Sequence, residues 1–75
     1  MELKDDAFYE TLCELIKAKL RGAGEVDEEN LVERIADEHT EYETDDVYEA
    51  ISILETQEIV QRSEIGDATF IEVVE

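Results

Sequence analysis

Excess negative charge is the feature that most constrains this chain. Its 75 residues include 23 Asp and Glu against 6 Lys and Arg, which gives a formal charge of −17. Repulsion among so many carboxylates expands a chain unless apolar burial or salt opposes it. Apolar residues nevertheless make up 43% of the sequence, and they recur at regular spacings. The sequence therefore favours a folded acidic domain over a disordered chain.

Two interpretations of the acidity stay open. In a halophilic protein, molar salt shortens the screening length to about 3 Å, so surface repulsion nearly vanishes. In an acidic mesophilic domain, the same charge would face a basic partner. We favour the halophilic interpretation. The charge is also uneven, because residues 1–24 carry five acids and four bases, whereas residues 25–75 carry 18 acids and two bases.

The length and composition predict one domain over residues 1–75, with a small core. A single cysteine excludes an internal disulfide and fits a reducing cytoplasm, which is the expected location. No apolar run reaches 18 residues, so neither a transmembrane helix nor a membrane partner is expected.

Three helices are predicted, over about residues 6–21, 28–38 and 45–57. Apolar residues recur at three- and four-residue steps in each segment, as in Phe8, Leu12, Ile16 and Leu20. The predicted N-caps are Asp5 or Asp6, Asp27 and Thr44, and Gly22 and Gly24 are predicted to end the first helix. Residues 39–43 are predicted to form a turn.

The last residues change to a period typical of strands. Residues 59–63 and 69–74 are rich in β-formers, which predicts a hairpin over about 59–74 with a loop of four or five residues at 64–67. A short strand at Glu25 and Val26 precedes the second helix. The predicted fold class is α+β, with three helices and a C-terminal β-hairpin.

This order of elements resembles a winged helix-turn-helix domain over residues 6–74. The resemblance lies in residues 25–31 (EVDEENL), 45–55 (DDVYEAISILE) and 57–62 (QEIVQR). Together with the acidity, these segments are similar to small winged-helix proteins of halophilic archaea. Members of the family often have a glycine where Gln57 and Glu58 stand.

The resemblance implies that the third helix enters a DNA major groove while the hairpin, or wing, touches the backbone or the minor groove. The best available contacts are Ser52, Thr56, Gln61 and Arg62. The exposed face of this helix contains no Lys or Arg, and its carboxylates repel phosphates. The charge therefore favours a solvated acidic face over base recognition.

The first helix has a second possible role. Phe8, Tyr9, Cys13 and Ile16 make its apolar sector wider than the stripe needed to cover one core. Either these residues form a partner or homodimer surface, or a small core uses all of them.

Catalytic and metal-binding motifs are not evident. His39 is the only histidine, and it is far along the chain from Cys13, so a Cys–His pair is not expected. Ligand spacing for a metal and a phosphate-binding glycine loop are both missing. We expect no catalytic residues, no metal, no cofactor and no enzymatic activity.

Three hypotheses about function follow. The first is a small regulatory module in transcription or another DNA-linked process that binds duplex DNA at high salt. The alternative is an acidic protein-interaction adaptor that keeps the winged-helix fold without binding DNA. The third is a DNA mimic that occupies a basic groove on another protein.

Overall fold

The computed structural model describes residues 5–74, as three helices and one three-stranded sheet. The elements are α1 (Asp6–Ala23), β1 (Val26–Asp27), α2 (Glu28–Glu38), α3 (Thr44–Thr56), β2 (Val60–Ile65) and β3 (Ala68–Val73). The strands are antiparallel, in the order β1–β3–β2. The predicted α+β class, the three helices and the hairpin are confirmed.

Helix α1 is capped at its N-terminus by an aspartate side chain and ends at a glycine with a positive φ. The Oδ1 atom of Asp5 accepts a hydrogen bond from the Phe8 amide at 2.9 Å. At the other end, Gly24 has a φ of 78° and its amide donates to the Leu20 carbonyl. The helix continues two residues past its predicted end at about residue 21, because Gly22 stays helical and Gly24 makes the turn.

The predicted N-cap of α2 is confirmed, and that of α3 is corrected. Asp27 caps α2 by accepting from the Asn30 amide at 3.1 Å. The predicted cap of α3, Thr44, is instead its first helical residue, and Glu43 is the N-cap. The Glu43 amide donates to Oδ2 of Asp46 at 2.9 Å. A carboxylate three residues into the helix thus supplies the acceptor.

Helix α3 ends in a Schellman motif built around Glu58. The Glu58 amide donates to the Glu55 carbonyl, and the Ile59 amide donates to the Leu54 carbonyl. This pattern places Glu58 in the left-handed region that glycine prefers, and its φ is 62°. The turn therefore forms without a glycine.

The hairpin is tighter than predicted. Glu64 pairs with Thr69 and Ile65 pairs with Ala68, so Gly66 and Asp67 alone form the loop. Gly66 has a φ of 63°, as the first central residue of a two-residue turn requires. The predicted loop of four or five residues is wrong because both strands continue to the turn.

One core joins the helices to the sheet. Its buried apolar residues come from all three helices, from strands β2 and β3, and from the turn before α3: Leu12, Cys13, Ile16, Leu20, Leu31, Val32, Ile35, Tyr42, Val47, Ala50, Ile51, Leu54, Val60 and Ile71. Tyr42, in the predicted turn, is only 7% exposed. Its ring lies 5.2 Å from that of Phe8, edge to face. The turn thus closes the core under α1.

Candidate interaction site

The outward face of α3 is acidic and polar. Asp45, Glu49, Ser52 and Thr56 are exposed, whereas Val47, Ala50, Ile51 and Leu54 on the opposite face are buried. Ser52 and Thr56 are four residues apart and line one shallow depression of about 250 Å³. Helix α3 contains neither Lys nor Arg. Its hydroxyl groups therefore sit on a surface that attracts cations.

The two hairpin residues predicted to contact DNA lie on opposite faces of the sheet. Arg62 pairs with Ile71, which is buried in the core, while Gln61 pairs with Glu72. Residues directly opposite in an antiparallel pair point to the same face, and neighbours along a strand point to opposite faces. Arg62 therefore lies on the sheet face toward the helices, and Gln61 lies on the outer face.

Arg62 is bound by two carboxylates of the protein itself. Its Nη2 atom lies 3.0 Å from Oε2 of Glu28, and its Nε atom lies 3.8 Å from Oε2 of Glu55. We call this arrangement the Arg62 bridge. It joins β2 to the start of α2 and to the last turn of α3. The only Lys or Arg between residues 35 and 75 is thus already paired.

Burial makes the Arg62 bridge matter for stability. The Glu28 side chain is 12% exposed and that of Arg62 is 32% exposed. Among residues 5–74, no donor is oriented to make a hydrogen bond to Glu28 Oε2, although the Arg62 cation is close. The contact is therefore an ion pair that neutralises a largely buried charge without satisfying the oxygen's hydrogen-bonding capacity.

An acidic patch surrounds Tyr48 where α2 meets α3. Tyr48 is 39% exposed. Its pKa is raised, first by burial of part of the phenol and then by the negative charges of four nearby carboxylates: Glu28, Glu29, Glu33 and Asp27. The negative potential of the α3 face thus continues onto the start of α2.

The four α1 residues predicted as a partner surface divide between core and rim. Ile16 has no exposed surface and Cys13 is 8% exposed, so Ile16 is not available to a partner. The Cys13 thiol donates to the Ala50 carbonyl at 3.7 Å. Phe8 and Tyr9 are partly buried, and their rings pack edge to face at 5.2 Å. The core therefore uses most of the wide apolar sector of α1.

A groove between α1 and α3 was not predicted from the sequence. We call it the α1–α3 groove. Its volume is about 340 Å³, and its lining residues are Asp6, Tyr9, Glu10, Cys13, Glu14, Lys17, Ile53, Leu54 and Gln57. The four-residue spacing of Tyr9 and Cys13 was visible in the sequence, but the opposite wall depends on how α3 packs.

The Cys13 thiol and the acidic groups of these surfaces bear on reactivity and metal binding. Burial raises the pKa of the Cys13 thiol, an effect that nearby Lys17 opposes and Glu14 reinforces, so the thiol is a poor nucleophile at neutral pH. Within residues 5–74, no three His, Cys, Asp or Glu side chains converge as a metal site would require. The surfaces described above present carboxylates, hydroxyls and the α1–α3 groove.

No helix within residues 5–74 has an apolar stretch long enough to cross a bilayer.

Comparison with known proteins leaves the family of this chain open. Searches with family models, against curated proteins and against solved structures return no match to this chain.

Proposed function

We propose that the chain is a non-enzymatic winged-helix adaptor that acts in transcription or another DNA-linked process. It binds a basic protein surface through the outward face of α3 and does not bind duplex DNA directly. The observation that carries the proposal is the Arg62 bridge, in which the cation of the wing is paired with Glu28 and Glu55. The order α1–β1–α2–α3–β2–β3 is compatible with the winged-helix fold.

Electrostatics separates this function from DNA binding. Duplex affinity normally depends on several Lys or Arg contacts to phosphates, and each contact releases counterions. Helix α3 supplies no cation, and the wing supplies only Arg62. Freeing Arg62 for a phosphate would leave the Glu28 carboxylate buried without compensation. A basic protein surface, in contrast, is attracted by Asp45, Glu49 and the carboxylates around Tyr48.

The charge also fits adaptation to high salt. At a formal charge of −17, the folded state of so small a domain is opposed by self-repulsion in dilute buffer. Molar KCl screens that repulsion over about 3 Å. A partner that binds under these conditions needs contacts at close range, since long-range steering is lost.

The first experiment tests direct DNA binding. A pool of random duplexes is mixed with the protein across a KCl series from about 0.1 M to about 3 M, and mobility shifts are recorded. The proposal predicts no retained duplex at any concentration of salt. A shift that is lost in Arg62→Glu would contradict the proposal and support the DNA-binding regulator.

The second experiment tests the acidic face with a matched control. The tagged chain captures proteins from its native host, and the most enriched basic protein is purified and titrated. The double variant D45K/E49K should lose this binding, while D37K/E41K, with the same charge change elsewhere, should keep most of it. All four positions are exposed. Equal losses in the two variants would show that net charge alone, and not the α3 face, attracts the partner.

Direct DNA binding is kept as a second candidate because of Ser52 and Thr56. Both side chains are exposed on α3, and hydroxyl groups hydrogen-bond to base edges. If this function is correct, E28Q/E55Q should free Arg62 and tighten duplex binding. Competition between the protein and DNA for the same basic partner would instead indicate the DNA mimic.

A further inference from the structure

The α1–α3 groove has an apolar floor that no element of residues 5–74 covers. On α1, Tyr9 and Cys13 lie one turn apart and face the groove, and Ile53 and Leu54 line it from α3. Tyr9 and Ile53 are only partly buried, so this floor still offers apolar surface to a ligand. Its volume of about 340 Å³ is at the lower end of the range for ligand pockets.

One lip of the groove is an acidic row. Asp6, Glu10 and Glu14 follow one another at four-residue steps along α1, which places them on one strip beside Tyr9 and Cys13. All three carboxylates are exposed and line the groove together with Lys17. Lys17 is paired with Glu14 at 2.9 Å. The lip therefore carries a net negative charge next to an apolar floor.

The apolar floor and the acidic lip together indicate which kind of partner fits the groove. A second copy of the chain would place another acidic lip directly against this one, and carboxylates in contact repel each other even where salt screens the longer-range field. A segment with apolar residues on one face and Lys or Arg beside them satisfies both the floor and the lip. The stretch of α1 from Asp6 to Lys17 is about 16 Å long at 1.5 Å per residue, which matches a partner helix of about three turns.

We propose that the α1–α3 groove binds one short amphipathic helix from a basic protein. The apolar side chains of that helix, one turn apart, contact Tyr9, Cys13 and Ile53, and its basic side chains contact Asp6 and Glu10. The groove adjoins the outward α3 face, with which it shares Ile53 and Gln57. The inference goes beyond the proposed function because Tyr9, Cys13 and the acidic row lie on α1, which the proposed function does not use.

The test uses two synthetic peptides of about 16 residues, each made of Lys, Ala and Leu and labelled with a fluorophore. In the first, the leucines share one helical face, and in the second the same residues are shuffled so that they do not. Fluorescence anisotropy should show at least about tenfold tighter binding of the first peptide. Equal affinities would overturn the proposal, because they would indicate generic attraction to an acidic protein.

Variants of the protein locate the site. Glu10→Lys should weaken the first peptide about tenfold, whereas the control Glu41→Lys, also exposed and with the same charge change, should weaken it less than about threefold. Ile53→Ala removes part of the floor and should weaken binding without a change of charge. Similar losses in E10K and E41K would contradict the proposal. Circular dichroism confirms that each variant is folded.

The sole cysteine gives an independent readout. Cys13 lines the groove, so the first peptide should slow its already slow reaction with iodoacetamide in the native protein further, and the shuffled peptide should not. Sedimentation of the protein alone completes the test. A dimer that E10K or I53A dissociates would show that a second copy occupies the groove, which would overturn the proposed occupant. None of these outcomes depends on the DNA-binding result.

Discussion

Glu58 offers the sharpest test of how this chain tolerates local strain. It has a φ of 62° in the turn that ends α3, and a side chain with a Cβ atom disfavours that region. Its carboxylate is exposed and lies at the negative end of the helix dipole, which is also unfavourable. We therefore predict that Glu58→Gly stabilises the fold.

The expected magnitude follows from two opposing effects. Left-handed backbone costs a residue with a Cβ atom about 1–2 kcal/mol, which glycine avoids. Glycine also increases the conformational entropy of the unfolded chain, and this destabilises the folded state by about 0.5–1 kcal/mol. The net stabilisation in molar salt, where the dipole effect is screened, is about 1 kcal/mol. For a domain of this size, that raises Tm by about 4–8 °C.

The assay compares thermal and urea unfolding of the wild type, Glu58→Gly and Glu58→Gln in about 2 M KCl. Glu58→Gln removes the charge but keeps the Cβ atom, so we expect it to change stability by less than about 0.5 kcal/mol. The difference between the two variants then measures the backbone strain less the entropy that glycine gains in the unfolded chain. If E58G is no more stable than E58Q, the strain at residue 58 does not exceed that entropy and the reasoning from its φ is refuted.

Four further predictions concern stability and reactivity. Gly22→Ala should stabilise α1 by about 0.5–1 kcal/mol, whereas Gly24→Ala should destabilise it by about 1 kcal/mol. The signs differ because, of these two glycines, only Gly24 has a positive φ, and neither added methyl meets an atom within 4 Å. Urea unfolding would contradict this if both substitutions changed the free energy of unfolding in the same direction. Arg62→Ala should lower the free energy of unfolding by about 2 kcal/mol, more than Glu28→Gln does, because it leaves the largely buried Glu28 carboxylate without its cation. Purely additive effects in a double-variant cycle would argue against an energetic coupling between Arg62 and Glu28. Cys13 should react slowly with iodoacetamide in the native state and fast in urea, and equal rates in the two states would contradict this. Because burial raises the pKa of the thiol in the folded state, the contribution of Cys13 to stability should be lost as pH rises past the ordinary thiol pKa. Finally, Tm should rise with KCl from about 0.1 M to about 2 M as the charge of −17 is screened, and a flat profile would remove the argument from self-repulsion.

The features that the sequence predicted well are local ones. Helical periodicity and the Asp27 cap depend on residues within one or two turns of each other, so their positions follow from the sequence. The errors at the ends of elements are also local, but they depend on competition between neighbours. Both Gly22 and Gly24 can end a helix, and hydrogen bonding to Leu20 selects Gly24.

The features that the sequence did not predict depend on contacts between distant segments. Tyr42 stands in a polar run, and it is buried because Phe8 of α1 covers it. The pairing of Arg62 with Glu28 follows from the sheet register and from the position of α2, neither of which a charge count contains. The α1–α3 groove likewise needs two helices to be placed side by side.

The strand order has a consequence for how the chain assembles during synthesis. The last strand, β3, lies between β1 and β2, and it is the sheet neighbour of both. The helices are therefore made before the strand that joins the rest of the sheet has left the ribosome. Until Ile71 emerges, β1 and β2 have no backbone partner in this sheet, and the nascent chain exposes the apolar face that β3 later covers. We expect resistance to proteolysis to appear only once residues 68–73 have been translated.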